Sequence, residues 1–186
     1  FLRAKRAFIL QERIFVTGTG PGRHAEPRAA AYGPLDDGVR PAWLESPHDA
    51  PSRVHGVQLH ALAGLAGPEI LSFGGRKIGR RARWADCQIV CLSCLTAPVL
   101  PSAAEQARAM FETAASVLTR HGADYRDTVR TWVWLRDIQR WYGELNQVRN
   151  EFYRGQGLLS GAAARTALPA ATGIGVSPAA GGDCGL

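Results

Sequence analysis

Between Ser102 and Gly175 the apolar period is first helical, then alternating, then helical again, and ends in a Gly-rich extended run. This order constrains the fold more than any other feature, because each amphipathic element must bury its apolar side against a neighbour. Ser102-Ala103-Ala104-Glu105 has the form of a capping box. Apolar residues follow at Ala107, Met110, Phe111, Ala114, Ala115 and Leu118, one stripe of a helix over 102–121, and Gly122 stands where a left-handed C-cap would end it. From Thr128 to Arg136 the period is two, with Val129, Thr131, Val133 and Leu135 on one side and Arg130, Trp132, Trp134 and Arg136 on the other. Trp141, Leu145, Val148 and Phe152 then form the stripe of a second helix over 139–154, stopped by Gly155 and Gly157. The segment closes with Arg165-Thr166-Ala167-Leu168-Pro169 and Ala171-Thr172-Gly173-Ile174-Gly175. Both helices are expected on one face of a sheet, with Val129, Val133 and Leu135 beneath them.

The first half is less periodic. Ala7 to Thr17 reads as a strand or a hairpin pair. Gly18 to Ser52 is dense in Gly and Pro and reads as loop, although a loop of that length is uncommon inside a compact domain. Val54 to Leu62 alternates as a strand, and Gln88 to Leu95 is a short apolar strand. No internal repeat is evident.

The formal net charge of +6 would suit a nucleic-acid surface, but arginines are spread along the whole chain, with one cluster at Arg76, Lys77, Arg80, Arg81 and Arg83. A binder of nucleic acid would show a stripe with interleaved aromatics or a known module. The charge reads either as a plain bias of the sequence toward arginine or, more sharply, as a positive cleft that steers a small dianion, and no nucleic-acid partner is expected. No apolar run approaches the ~20 residues of a membrane span, and the basic start, Phe1 to Arg6, lacks the pattern of a signal peptide. The first residue is not Met and Met110 is the only methionine, so the sequence reads as part of a longer protein.

Four places have the chemistry of a site. Arg165 opens a strand after a small-residue loop and is either a surface arginine or a planar fork for a carboxylate. Ala171, Thr172 and Gly173 lie in a run whose backbone a ligand could approach closely, or which simply bulges. Tyr142 sits about 100° round the helix from the core residue Trp141, as a half-buried tyrosine or a hydrogen-bonding phenol. Arg81, with Arg80 beside it, is a solvated cation or a second carboxylate ligand. Cys87, Cys91 and Cys94 have a C-x3-C-x2-C spacing but fall on a strand without the surroundings of an iron–sulfur or zinc site. The histidines, His24, His48, His55, His60 and His121, show no ligand spacing. Neither metal nor cofactor is expected. Lone cysteines without a signal peptide favour the cytoplasm.

The order helix, HGADYRDTVRTWVWLRDI, helix, ARTALPAATGIGV resembles the YjgF/Rid (reactive intermediate deaminase) superfamily. WYGELNQVRNEFY, LPAATGIG and the late GGDCGL are more similar to one branch, the chorismatases, bacterial enzymes that hydrolyse chorismate and carry a Rid-like C-terminal domain. The resemblance covers 103–186, is fainter over 57–86, and is absent from the first fifty or so residues. It implies that Arg165 grips a substrate carboxylate, helped by Arg81. Ala171, Thr172 and Gly173 would hold the substrate, Tyr142 would orient it, and Cys184 would touch the ring and influence product choice, unless Cys184 is a buried strand thiol. It also implies a general-acid glutamate several residues beyond Cys184, a position this sequence does not include. Such proteins are homotrimers with clefts between subunits, or monomers with a cleft between lobes.

The sequence therefore predicts an α+β protein with two parts. The first, 1–83, is a smaller α/β lobe. The second, 84–186, is a Rid-like mixed sheet with two helices on one face. The expected activity is hydrolysis of the enolpyruvyl ether of chorismate, releasing pyruvate and a hydroxybenzoate or dihydroxycyclohexadiene acid. The alternatives are a Rid-type 2-imino acid deaminase and a non-catalytic ligand-binding protein.

Overall fold

The computed structural model describes residues 2, 4–18, 22–46, 53–64, 66–159 and 168–186. The chain is α+β and divides into two compact units, 1–94 and 95–186. The sequence places the division after residue 83. It falls after residue 94 because strand β6 (Cys87–Leu92) pairs along its length with β5 (Arg76–Trp84) and completes a sheet of the first unit.

The first unit contains two sheets. In one, the long strand β1 (Ala7–Thr17) is flanked by β2 (Ala42–Ser46), running parallel, and β3 (Arg53–Ala63), running antiparallel. In the other, β4 (Glu69–Phe73), β5 and β6 form an antiparallel meander. Ala7 to Thr17 is thus one strand, not a hairpin. Its residues Ile9, Leu10, Ile14 and Val16 are buried, as are Leu44, Leu71, Ile78 and Ala82 from the other strands. Polar bonds tie the two sheets: Gln11 donates to the Leu92 carbonyl at 3.2 Å, and Arg80 Nη1 to the Leu10 carbonyl at 3.2 Å.

The stretch read as loop contains β2 and a helix, α1 (Ala25–Tyr32). The helix escapes a periodicity argument because it has no buried residue. Polar bonds hold it instead: Arg28 and Tyr32 both reach the buried Glu12 of β1.

The second unit follows the expected order closely. Helix α2 (Ala103–Arg120) begins at the capping box, with the Glu105 amide donating to Ser102 Oγ at 3.2 Å and the Ser102 amide to Glu105 Oε2 at 3.1 Å. Gly122 has φ +77°, the left-handed conformation that ends the helix at no steric cost. Strand β7 (Arg130–Leu135) and helix α3 (Ile138–Gly155) come next, then β8 (Ala170–Gly175), the two-residue β9 (Ser177–Pro178) and β10 (Cys184–Gly185). The sheet order is β10-β7-β8, with β8 parallel and β10 antiparallel to β7. α3 covers the face carrying Leu135 and Gly173, and α2 packs on α3 and β10. Val133 and Leu135 are buried as expected, but Val129 precedes the strand and is 85% exposed. Between the helices, Phe111 stacks on Phe152 with centroids 5.4 Å apart, and Tyr125 meets Phe152 edge-on at 4.8 Å. Among the described residues no helix is long and apolar enough to cross a membrane.

Candidate functional site

β8 is the outer strand of its sheet among the described residues. An outer strand leaves one row of backbone donors and acceptors without a ladder partner. Its residues are exposed or half-buried, and none is fully buried. The pairing of β7 with β8 aligns Arg130 with Ala170, Trp132 with Thr172 and Val133 with Gly173, and this register sorts the candidate residues onto two faces.

On the α3 face, Tyr142 lies beside Gly173. A Cβ on Gly173 would stand 3.3 Å from Tyr142 Cε2, so a larger residue there would press on the ring. Trp141 turns inward, is buried, and donates its indole N–H to the Arg136 carbonyl at 2.8 Å. That bond fixes the first turn of α3 and leaves Tyr142, 42% exposed, at the rim of the strand. Ala171, aligned with Thr131, is exposed on the same face.

On the opposite face, Thr172 Oγ1 accepts a hydrogen bond from Arg130 Nη2 at 2.9 Å. The Arg130 guanidinium lies over the Trp132 ring, 4.4 Å from its centroid, and Trp132 stacks on Trp134 at 5.9 Å. Thr172 and Gly173 thus serve different surfaces although they are adjacent in sequence. Arg130 is the residue the sequence reading misses. Alternation puts it on a face with Trp132 and Trp134, but only the pairing of two strands far apart in the chain brings it to Thr172.

The remaining candidates stand elsewhere. Arg165 lies outside the described residues. Arg81 is on β5 in the first unit, where its Nε donates to Glu69 Oε2 at 2.9 Å and Nη2 bonds the same oxygen. Its charge is already met by a carboxylate on the neighbouring strand, which weakens the case for it as a carboxylate ligand. Arg80 is not on a solvated face at all: it is 2% exposed and bonded to Asp37. Cys184 is fully buried on β10, across β7 from β8 and paired in register with Leu135. That is the position of a packing thiol.

Burial, with Asp183 beside it, pushes the Cys184 thiol up to about 12. At pH 8 on the order of one Cys184 in ten thousand would then be ionised, and thiolate is the reactive form. Cys87 is exposed. Brief iodoacetamide treatment of the native protein should therefore label Cys87 and spare Cys184, read by peptide mass spectrometry. Rapid labelling of Cys184 would mean that its strand opens to solvent. Among the described residues no group of three or more His, Cys, Asp or Glu side chains could hold a metal ion.

No protein-family profile and no curated protein matches this chain. It is similar in fold to the crystal structure of yeast Mmf1, with a TM-score of 0.44 and 21% identity, covering 65% of this chain and 87% of that one. It is also similar to Rv2704 from Mycobacterium tuberculosis, described as a member of the highly conserved YjgF/YER057c/UK114 family, with a TM-score of 0.41 and 20% identity, covering 60% of this chain and 90% of that one.

Proposed function

We propose that the second unit binds a small carboxylate along β8 and hydrolyses a 2-imino acid in the manner of the Rid proteins its sequence resembles. The observation that carries this reading is the approach of Tyr142 to Gly173 on an accessible outer strand, which puts a phenol beside bare backbone. Arg165, five positions before β8, is assigned the substrate carboxylate because a guanidinium matches both carboxylate oxygens. Arg130, bonded to Thr172 at the start of the paired strands, takes the role of second cation that the sequence reading gave to Arg81. Water adds to the imine carbon, the carbinolamine loses ammonia, and the 2-keto acid leaves. Tyr142 orients the substrate by hydrogen bond, and the exposed amides of β8 polarise it. The assembly this reading implies is a homotrimer.

A second reading, chorismate hydrolysis, has one observation in its favour: the chain carries a further folded unit of strands, 1–94, besides the Rid-like part. In that reaction a proton adds to the enolpyruvyl carbon, water attacks the resulting cation, and pyruvate is released. Purified protein separates the two. It is expected to speed loss of a 2-imino acid generated in situ by an amino-acid oxidase and to leave chorismate unchanged. Pyruvate from chorismate would favour the second reading, and no turnover of either would remove both.

Arg165→Lys tests the assignment common to the two readings. A bidentate contact to charge contributes roughly 1.5–3 kcal/mol, so KM for the turned-over substrate should rise roughly ten- to a hundredfold. An unchanged KM would make Arg165 structural.

A further inference from the structure

A cavity lies wholly inside the first unit, between α1 and one face of the β3-β1-β2 sheet, and it shares no residue with the site on β8. Its volume is about 290 Å³, at the small end of the range that holds organic ligands. Register builds its apolar wall. Trp43 of β2 and Val57 of β3 stand on either side of Ile14 in β1, a row of three side chains across one face of the sheet. Trp43 and Ile14 are buried, whereas Val57 is 51% exposed, so the row is covered at its β2 end and open at its β3 end. Val54 and, from α1, Pro27 continue the lining.

The polar part is built around Glu12. It sits two residues before Ile14, on the same face of β1, and is 1% exposed. Tyr32 donates its hydroxyl to Glu12 Oε1 at 2.9 Å. Arg28 Nε donates to Oε2 at 2.9 Å and its Nη2 bonds the same oxygen, while Nη1 donates to Asp36 at 3.0 Å. The guanidinium also lies 4.5 Å from the Tyr32 ring centroid. All three nitrogens of Arg28 are therefore engaged, and one cation faces two carboxylates. The cluster is negative by one charge in a chain whose formal total is +6. Burial, reinforced by Glu12, pushes the Tyr32 phenol up to about 12, so it stays a donor. A carboxylate oxygen accepts more than one hydrogen bond, and Oε1 takes one from Tyr32. His24 also lines the cavity.

We propose that this cavity is a second ligand site, taking a small organic cation whose flat apolar body rests on the Trp43–Ile14–Val57 row and whose ammonium group bonds Glu12. An anion of the same shape meets a cluster of its own sign, with the Arg28 guanidinium already held between two carboxylates. The site is independent of the chemistry proposed for β8, since every residue in it belongs to the first unit.

Tryptamine and indole-3-acetate, alike in ring and opposite in charge, are the probes, titrated by calorimetry into the full chain. Tryptamine is expected to saturate one site and indole-3-acetate to give no heat of binding. Val57→Trp should abolish tryptamine binding by filling the cavity from its open side, with circular dichroism and thermal unfolding unchanged. Glu12→Gln should weaken it at least tenfold. Equal binding of the two probes, tryptamine binding unaltered in Val57→Trp, or no saturation below roughly 10 mM, a range that corresponds to only about 3 kcal/mol, would each overturn the proposal. Glu12 also anchors α1, so Glu12→Gln could loosen the fold. The comparison of the probes and the Val57→Trp variant decide the question without it.

Discussion

Asp37→Ala is expected to destabilise the first unit by about 3–5 kcal/mol, the cost of stranding a buried charge. Arg80 is 2% exposed, and its Nε and Nη2 donate to the two Asp37 oxygens at 2.6 and 2.7 Å. Without Asp37, the guanidinium keeps only the Leu10 carbonyl among the described residues, at 3.2 Å. Arg80→Leu should cost less, since it removes the buried charge and leaves Asp37 partly in water. Hydrogen exchange of β5 amides under native conditions measures both variants within the unit concerned. A loss below about 1 kcal/mol in Asp37→Ala would show that water reaches Arg80. The pair also sets a pH dependence. Burial acts to raise the Asp37 carboxyl, but hydrogen bonds from Arg80 and the Val39 amide, with the Arg80 and Lys77 charges, bring it below its ordinary 3.8. The folded state therefore takes up this proton less readily than the unfolded chain. The stabilisation is complete above pH 3.8 and is lost as pH falls through the lower folded value. In Arg80→Leu this part of the acid sensitivity should shrink, since only the Val39 amide and Lys77 then favour the charged carboxyl.

Phe111→Ala should cost the second unit about 3–5 kcal/mol, the range for deleting a buried aromatic ring. Phe111 has no exposed surface; it stacks on Phe152 at 5.4 Å and meets Tyr153 edge-on at 6.5 Å. The cavity would open between α2 and α3, where neighbouring rings are held by contacts on several sides and cannot collapse into it. Exchange of α2 amides and a lowered thermal midpoint would report the loss. Phe111→Leu, which refills most of the space, should recover more than half of it. A small effect in Phe111→Ala would mean that the two helices close on each other and that the rings of Phe152 and Tyr153 are free to collapse into the space.

The second unit was legible in the sequence because its signals are local. A capping box lies within four residues, a helix stripe within a few turns, and a strand alternation within one strand, so Ser102, Met110, Phe111, Val133, Trp141 and Phe152 take the places their spacing predicts. Local pattern also tells that Arg130, Trp132 and Trp134 share a face. It does not tell which distant strand lies beside them, and that pairing is what brings Arg130 to Thr172 and puts Tyr142 against Gly173. In the first unit the same gap is wider. Helix α1 has no apolar stripe because Glu12, on a strand far back in the chain, supplies its anchorage through Arg28 and Tyr32. Arg80 and Arg81 are neighbours of identical type, yet a strand must point them to opposite sides. One became a buried partner of Asp37 and the other an outer partner of Glu69. Sequence period fixes which residues share a side; the tertiary structure decides which side is inside, because that depends on the surfaces that distant segments bring to cover it.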